Sequence, residues 1–343
     1  MSLPKNLDSA DMLGKIKSFP GQMIAGFDLG SEAWRSVRLA PQAVVIAGMG
    51  ASATGGDLLR LYLFGQSRVP VFVFRDFRLP VFIGRGSLVV VSSYSGDTEE
   101  ALSCLDDAEG KGADVVCVTS GGKLLREAHS RSIPHVVLPK GFPPRASLGY
   151  SFSALLALAH KVGLCPDPTA ELRECAQHLD EISTIYSSDA QDNIASRLAA
   201  DLGARIPIIC SSGALDAVGL RWKNQFCENS KRLAFVSILP EGNHNDVMGW
   251  EGSSSAIDAG IVVLRTTDEH PRVARVLAHA RDIYGGKARF CGEFWGGGSS
   301  LLCRMFSLIL LGDYASYYLA LGNGVDPTPI ATIEKIKTWL RNG

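Results

Sequence analysis

Three hydroxyls within six residues, in Ser93-Tyr94-Ser95-Gly96-Asp97-Thr98, carry the first chemistry visible in this chain. They follow a short apolar run at 88–92 and precede a helical pattern at 98–110, so the turn lies at the carboxyl end of a strand and the amino end of a helix. Hydroxyl donors at 93, 95 and 98, a glycine that lets the backbone approach closely and a helix amino terminus are what a phosphate monoester requires; no lysine is needed. The same residues also read as an ordinary helix cap with Asp97 in front, because Ser, Asp and Thr are favoured there for capping alone. Capping uses one hydroxyl, however, not three. A second turn, Gly48-Met49-Gly50-Ala51-Ser52-Ala53-Thr54-Gly55-Gly56, follows the apolar run at 43–47. Its glycines invite a dinucleotide reading, with Asp76 after the next strand as the ribose-binding acid. Against that, the sixth position of the fingerprint is Ala53, and a glycine-rich strand-to-helix turn has purely steric uses.

Both turns need a scaffold, and the apolar pattern supplies one. Short β-rich runs recur at 43–47, 71–74, 88–92, 115–118 and 135–138, each with little polar alternation, as strands buried on both faces of a parallel sheet have. Helical patterns between them predict a doubly wound α/β domain. An Ala/Leu-rich helix at 148–162 closes that half. After Cys165-Pro166-Asp167-Pro168-Thr169 comes a polar helix at 170–186 that reads as a connector between domains. The pattern restarts at 206–210 with Ser211-Ser212-Gly213, a helix from 214 and strands near 233–237 and 261–264, a weak internal repeat of the whole domain. A chain of 343 residues, 46% hydrophobic and 20% charged, suits about two packed domains. Thirty-four basic against 35 acidic residues leave a formal charge of −1, so no global field draws the chain to nucleic acid or an anionic membrane, and any anion site must be local. The eight cysteines show no C-x-x-C pair and no zinc-ligand spacing, which predicts reduced thiols in a cytoplasmic protein. No secretion signal is expected, and the apolar stretch 301–312, interrupted by Arg304 and ended by Asp313, is too short to span a bilayer.

The Ser93–Thr98 turn, with the G-x-G-x-S turn before it, resembles the phosphosugar-binding signature of the sugar isomerase (SIS) domain. Two such units in one chain of this size resemble phosphosugar isomerases. Leu239-Pro240-Glu241-Gly242-Asn243-His244-Asn245-Asp246 and Gly324-Val325-Asp326-Pro327-Thr328-Pro329 narrow the likeness to the bifunctional phosphoglucose/phosphomannose isomerase family. The resemblance runs from Phe19-Pro20 to the C-terminal helix. It implies two doubly wound, flavodoxin-like SIS domains, one at 1–165 with an N-terminal helical segment and one at 166–343 with the connector and a C-terminal helix. It further implies a cofactor-free, metal-free homodimer whose active site lies near the subunit interface, acting on a sugar phosphate. The chain departs from the family at Ala51-Ser52-Ala53-Thr54, where glycines commonly flank the serine, which puts the phosphate contact of Ser52 in question.

The implied reaction interconverts glucose 6-phosphate and mannose 6-phosphate with fructose 6-phosphate through a cis-enediol. It needs a base that moves a proton between C1 and C2, a ring-opening group and a cation facing the enediolate; a carboxylate and a neutral imidazole are natural choices near neutral pH. By similarity to the family, Glu228 falls at the position of the base and His244 at that of the ring-opening residue, the histidine coming from either subunit. Glu241, three residues from His244, is the rival carboxylate. Arg145, after the last strand of the first domain, is placed to stabilise an enediolate oxygen, with a surface arginine tethering a proline-rich loop as the alternative. The family pattern also gives Thr328 and Lys335 contacts to the sugar, the threonine leaving room for either C2 epimer; Lys337 points to another helix face. The competing readings are a non-catalytic SIS sensor of sugar phosphate, which no output domain supports, and an amino-sugar phosphate isomerase, which the 240–246 run fits poorly.

Overall fold

An unbroken run of valine and isoleucine cannot present a wet face, so it must be covered on both sides. The computed structural model, which describes residues 7–188, 193–252 and 257–342, shows how this is done. The chain forms two compact units. The N-terminal unit comprises Ser18–Glu181 with Gly297–Phe306; the C-terminal unit comprises Ile182–Gly296 and Ser307–Gly343 with the stretch that ends at Lys17.

After a short helix α1 (Met12–Lys17), the N-terminal unit runs α2 (Phe19–Ala33), β1 (Ala43–Gly48), α3 (Gly50–Leu63), β2 (Val71–Phe74), β3 (Ser87–Ser93), α4 (Glu99–Gly110), β4 (Asp114–Thr119), α5 (Gly122–Ser130), β5 (His135–Val137), a 3-10 turn (Pro144–Ala146), α6 (Leu148–Lys161) and α7 (Thr169–Ser187, its last six residues grouped with the other unit). Its five strands are all parallel, in the order β2-β1-β3-β4-β5. Every residue of β3 is buried. Alternate residues serve opposite faces, as the two-residue period of a strand demands. Val45, Ala47, Val89 and Val91 pack with Ala101, Leu105 and Leu124 of α4 and α5, whereas Val44, Ile46, Leu88 and Val90 face Leu59, Leu63 and Leu155 of α3 and α6.

Helices α2 and α6 touch backbone to backbone through glycine. A Cβ at Gly26 would lie 2.6 Å from the Tyr150 carbonyl oxygen, and one at Gly30 2.9 Å from Ala154 Cα. We expect Gly30→Val to lower unfolding stability by about 1–3 kcal/mol, the usual range for overpacking a tight contact. Urea denaturation measures this, and an unchanged midpoint would show that the two helices have room to separate.

The C-terminal unit contains α8 (Ile194–Leu202), β6 (Ile206–Ser212), α9 (Asp216–Glu228), β7 (Phe235–Leu239), α10 (Asp246–Glu251), β8 (Ile257–Arg265), α11 (Pro271–Gly285), β9 (Ala288–Trp295), α12 (Leu301–Gly322, its first six residues grouped with the other unit) and α13 (Ala331–Asn342). Its strands are again parallel, in the order β7-β6-β8-β9. This matches β2-β1-β3-β4 of the first sheet, so the repeat suggested by the Gly/Ser turns is a repeat of winding. Helices α8 and α11 and strand β9 go beyond the elements read from the sequence. Strand β9 is an edge strand, mostly half-buried, and its Arg289 and Glu293 break up the apolar run that marks the inner strands. Helix α12 is also longer than the apolar stretch 301–312. At 22 residues it is long and apolar enough to cross a membrane, yet 89% of its apolar window is buried within the protein, as in a core helix.

Candidate active site

In the N-terminal sheet the strand order reverses between β1 and β3, and connections that diverge from such a point leave a crevice at the carboxyl ends of the strands. Both Gly/Ser turns open there. Gly48 pairs with Ser92, and a Cβ on it would lie 2.5 Å from the Ser92 carbonyl oxygen, so this glycine serves strand packing. Gly50 starts α3 with φ +52°, a left-handed conformation that suits glycine. Ser52, on the first turn of α3, is buried, and its Oγ accepts from the Tyr94 amide at 3.2 Å. One hydroxyl therefore fastens the first turn to the second.

Within the second turn, Ser93 Oγ and Thr98 Oγ1 share a hydrogen bond of 2.8 Å, and the Gly96 amide donates to Ser93 Oγ at 3.1 Å. Ser95 is exposed, its Oγ accepting from the Asp97 amide at 3.3 Å. The cap differs from the sequence expectation. Thr98, not Asp97, occupies the N-cap of α4, and its side chain makes no bond to the helix amides. Asp97 instead accepts from the Lys123 amide at 2.9 Å, in the first turn of α5. The amide end of α4 is thus left uncapped by its own threonine, beside paired hydroxyls.

The turn after β4, Ser120-Gly121-Gly122, buttresses this arrangement. Gly96 has φ +75°, and a Cβ on it would lie 1.8 Å from the Gly121 carbonyl oxygen. The Leu124 amide donates to the Gly96 carbonyl at 2.8 Å, and the Ser120 amide and hydroxyl donate to the Tyr94 carbonyl at 3.0 and 2.7 Å. Tyr94 OH donates to the Pro139 carbonyl at 2.6 Å, and burial raises its phenol above the ordinary range. Lys140 lies against Gly121, its Nζ 3.4 Å from where a Cβ would sit, which brings a cation to a turn whose sequence required none. A third Gly/Ser turn after a strand was the legible signal for Ser120 and Gly121; nothing local marked Lys140.

Arg145 sits in the 3-10 turn after β5 and is 2% exposed, so the surface-tether alternative does not hold. Gln22 of α2 secures that turn by donating to the Ala146 carbonyl at 2.9 Å. A buried guanidinium requires partners, and it keeps its charge at any physiological pH.

In the C-terminal unit Glu228 is the last residue of α9 and is half-buried. Lys231, at φ +52°, donates its ammonium to the carbonyls of Glu228 (2.8 Å), Asn229 (3.3 Å) and Pro327 (3.2 Å). One ammonium thereby joins the end of α9, through two bonds, to the segment that carries Thr328, through the third. Asp326 accepts from the Thr328 amide at 2.8 Å and from Ser9 Oγ, fixing that segment from the other side. The structure thus links Glu228 with Thr328 through Lys231, a residue the sequence reading passed over. His244 closes a 3-10 turn at Glu241–His244 and is exposed, as is Glu241, which accepts from Asn245 Nδ2 at 3.2 Å. Gly242 anchors this loop, with Tyr284 OH donating to its carbonyl. Lys335 and Lys337 are both exposed on α13, so burial does not separate them. Neither His244 nor Lys335 takes part in the bonds made by Lys231.

The turn after β8 corresponds in sheet order to the Ser93–Thr98 turn, but it holds an anion of its own. Glu269 accepts from the Thr266 amide at 2.8 Å and from Arg265 Nε and Nη2 at 2.9 Å each, while Arg265 Nη1 donates to Glu293 at 2.6 Å. The Arg265 guanidinium also lies 4.5 Å over the Trp295 ring. Of the two corresponding turns, the one with the paired serine and threonine hydroxyls belongs to the N-terminal unit.

Two parallel units of like winding, with a hydroxyl turn at the switch point of one, have the fold of the SIS phosphosugar isomerases. Tagatose-6-phosphate ketose/aldose isomerase from Escherichia coli shares it with a TM-score of 0.73 over 95% of this chain and 97% of its own, at 14% identity. The family model described as bacterial phospho-glucose isomerase C-terminal SIS domain matches residues 191–340. The bifunctional phosphoglucose/phosphomannose isomerase of Caldicellulosiruptor bescii is 37% identical over 96% of this chain and 98% of its own length; that of Aquifex aeolicus is 36% identical over 87% and 90%. The chain belongs to the bifunctional phosphoglucose/phosphomannose isomerase family.

Proposed function

We propose that the protein is an aldose–ketose isomerase that interconverts glucose 6-phosphate and mannose 6-phosphate with fructose 6-phosphate through a cis-enediol. The observation that carries the reading is near-full-length similarity to isomerases of that name, in a chain that keeps the hydroxyl turn at the switch point. Ser93, Ser95 and Thr98, with Ser52 steadying the turn, dock the phosphate at the amide end of α4. Glu228 moves the proton between C2 and C1, and His244 opens the ring. Arg145, buried in its 3-10 turn, faces the developing oxyanion, where a fixed positive charge in a dry site is worth most, and Lys335 contacts the sugar. Thr328 contacts the sugar beside C2.

The protein works as a homodimer in this reading. His244 is exposed, and the same unit displays Leu233, Phe235, Ile238 and Met248 as exposed apolar side chains on and around the edge strand β7 and helix α10, a surface suited to a second copy. A reducing, cytoplasmic setting is supported by eight cysteines that are all free thiols.

The deciding experiment is a coupled assay for glucose 6-phosphate formation from fructose 6-phosphate in the presence of a chelator. We expect turnover to persist. Its absence from pure, folded protein would sink the isomerase reading, and loss only on adding chelator would overturn the metal-free mechanism. A sensor would bind substrate without exchanging the C2 proton in deuterated water.

A further inference from the structure

Beside the apolar side chains that α9 buries, Val218, Trp222 and Phe226, runs a buried polar stripe, which a packed helix ordinarily lacks. Arg221, Gln225 and Asn229 recur at i, i+4 and i+8, forming one stripe, and all are at most 3% exposed. They meet α12. Arg221 Nη2 donates to Asp313 Oδ2 at 2.5 Å, and Gln225 Nε2 donates to Asp313 Oδ1 at 2.9 Å. Asn229 Nδ2 donates to Ser316 Oγ at 2.9 Å, and that hydroxyl donates to the Asp313 carbonyl at 2.8 Å. Beside them Trp222 Nε1 donates to the Leu308 carbonyl at 2.8 Å, over Gly312, where a Cβ would lie 2.5 Å from the indole nitrogen. Asp313 is itself 2% exposed.

An apolar helix interface tolerates small slides and rotations. A buried carboxylate whose two oxygens accept from successive turns does not, because any shift leaves a buried charge underpaired. Glu228 stands three residues after Gln225 and one before Asn229, on the flank of this stripe. The rotation of α9 that satisfies Asp313 is therefore the rotation that sets where the Glu228 side chain leaves the helix. We infer that Asp313 is a positioning residue of the isomerase reaction, acting through Arg221 and Gln225 on the Glu228 carboxylate. The inference rests on the reading of Glu228 as the proton-transferring base. A hydrophobic pair in place of Arg221 and Asp313 would hold the helices together without fixing their register, which separates positioning from mere stability.

The test uses the full chain in four forms: wild type, Glu228→Gln, Asp313→Asn, and the double variant Arg221→Met with Asp313→Leu. With glucose 6-phosphate deuterated at C2, one measures kcat, KM and the fraction of deuterium delivered to C1 of fructose 6-phosphate rather than lost to water. We expect Asp313→Asn to lower kcat about 30-fold, as a misplacement under an ångström does, with KM changed less than about twofold and less deuterium retained. The double variant should recover thermal stability but neither kcat nor retention. Wild-type kcat and retention in the folded double variant, beside an inactive Glu228→Gln, would overturn this inference alone and leave Asp313 a structural residue. Wild-type turnover by Glu228→Gln would instead overturn the base assignment, and this inference with it.

Discussion

Glu228→Gln is expected to lower kcat at least about 100-fold while KM for fructose 6-phosphate stays near the wild-type value, the signature of removing a general base from a reaction whose binding lies elsewhere. The physical grounds are local. The amide has the shape of the carboxylate and keeps its hydrogen-bonding reach, but it cannot take a proton from C2. Its main chain still accepts from Lys231, so the knot to Pro327 and the place of Thr328 survive. The phosphate is assigned to a turn in the other unit, so its grip should not sense the change. The coupled assay gives both constants, and a thermal melt confirms that the variant is folded. Near wild-type turnover would move the base to Glu241, the exposed carboxylate that accepts from Asn245.

The second large effect is expected at Gly96. Alanine there meets two obstacles at once: φ +75° is unfavourable for any L side chain, and the new Cβ would lie 1.8 Å from the Gly121 carbonyl oxygen. The carbonyl belongs to backbone held by Thr119, whose Oγ1 donates to it at 2.9 Å, so the Ser93–Thr98 turn must give way instead. With the turn displaced, the Gly96 amide leaves Ser93 Oγ, and the hydroxyls lose their common orientation. Two charge-assisted hydrogen bonds to phosphate are worth about 1.5–3 kcal/mol each, so Gly96→Ala should raise KM about 100-fold or more. Ser93→Ala, which deletes one hydroxyl and leaves the backbone alone, should raise it about tenfold. A wild-type KM in folded Gly96→Ala would remove this turn from the phosphate site.

The strands of the N-terminal sheet were legible because burial on both faces leaves a continuous apolar run, and β1, β2 and β3 lie within a residue of the runs at 43–47, 71–74 and 88–92 at each end. Strand β9 was not, since an edge strand need be apolar on only part of its surface and Arg289 and Glu293 break its run. The hydroxyl turn was visible as residue types at a strand end. Its cap reads one residue early in the sequence because Asp97 and Thr98 are equally good capping types, and only the neighbouring α5 amide decides where the aspartate points. Arg145 showed the opposite limit: a strand-end position was readable, whereas burial of its guanidinium depends on elements packed around the 3-10 turn.

The sequence by itself determined the parallel α/β class, the two-unit repeat, the hydroxyl-rich turn at a strand end and the family likeness, because periodicity and capping chemistry are local and survive in one dimension. The tertiary structure decided which glycines are compulsory, as Gly48 and Gly96 are, since only a contact 44 or 25 residues away makes a Cβ impossible. It also decided that the end of α9 is joined to the Thr328 segment by an ammonium spanning 96 positions of sequence, and that Asp313 locks the same helix from beneath across 88 and 92. Hydrogen bonds of this kind have no periodicity to read. They exist because folding brings buried donors and acceptors to one another, and each buried polar group must then be satisfied where it lies.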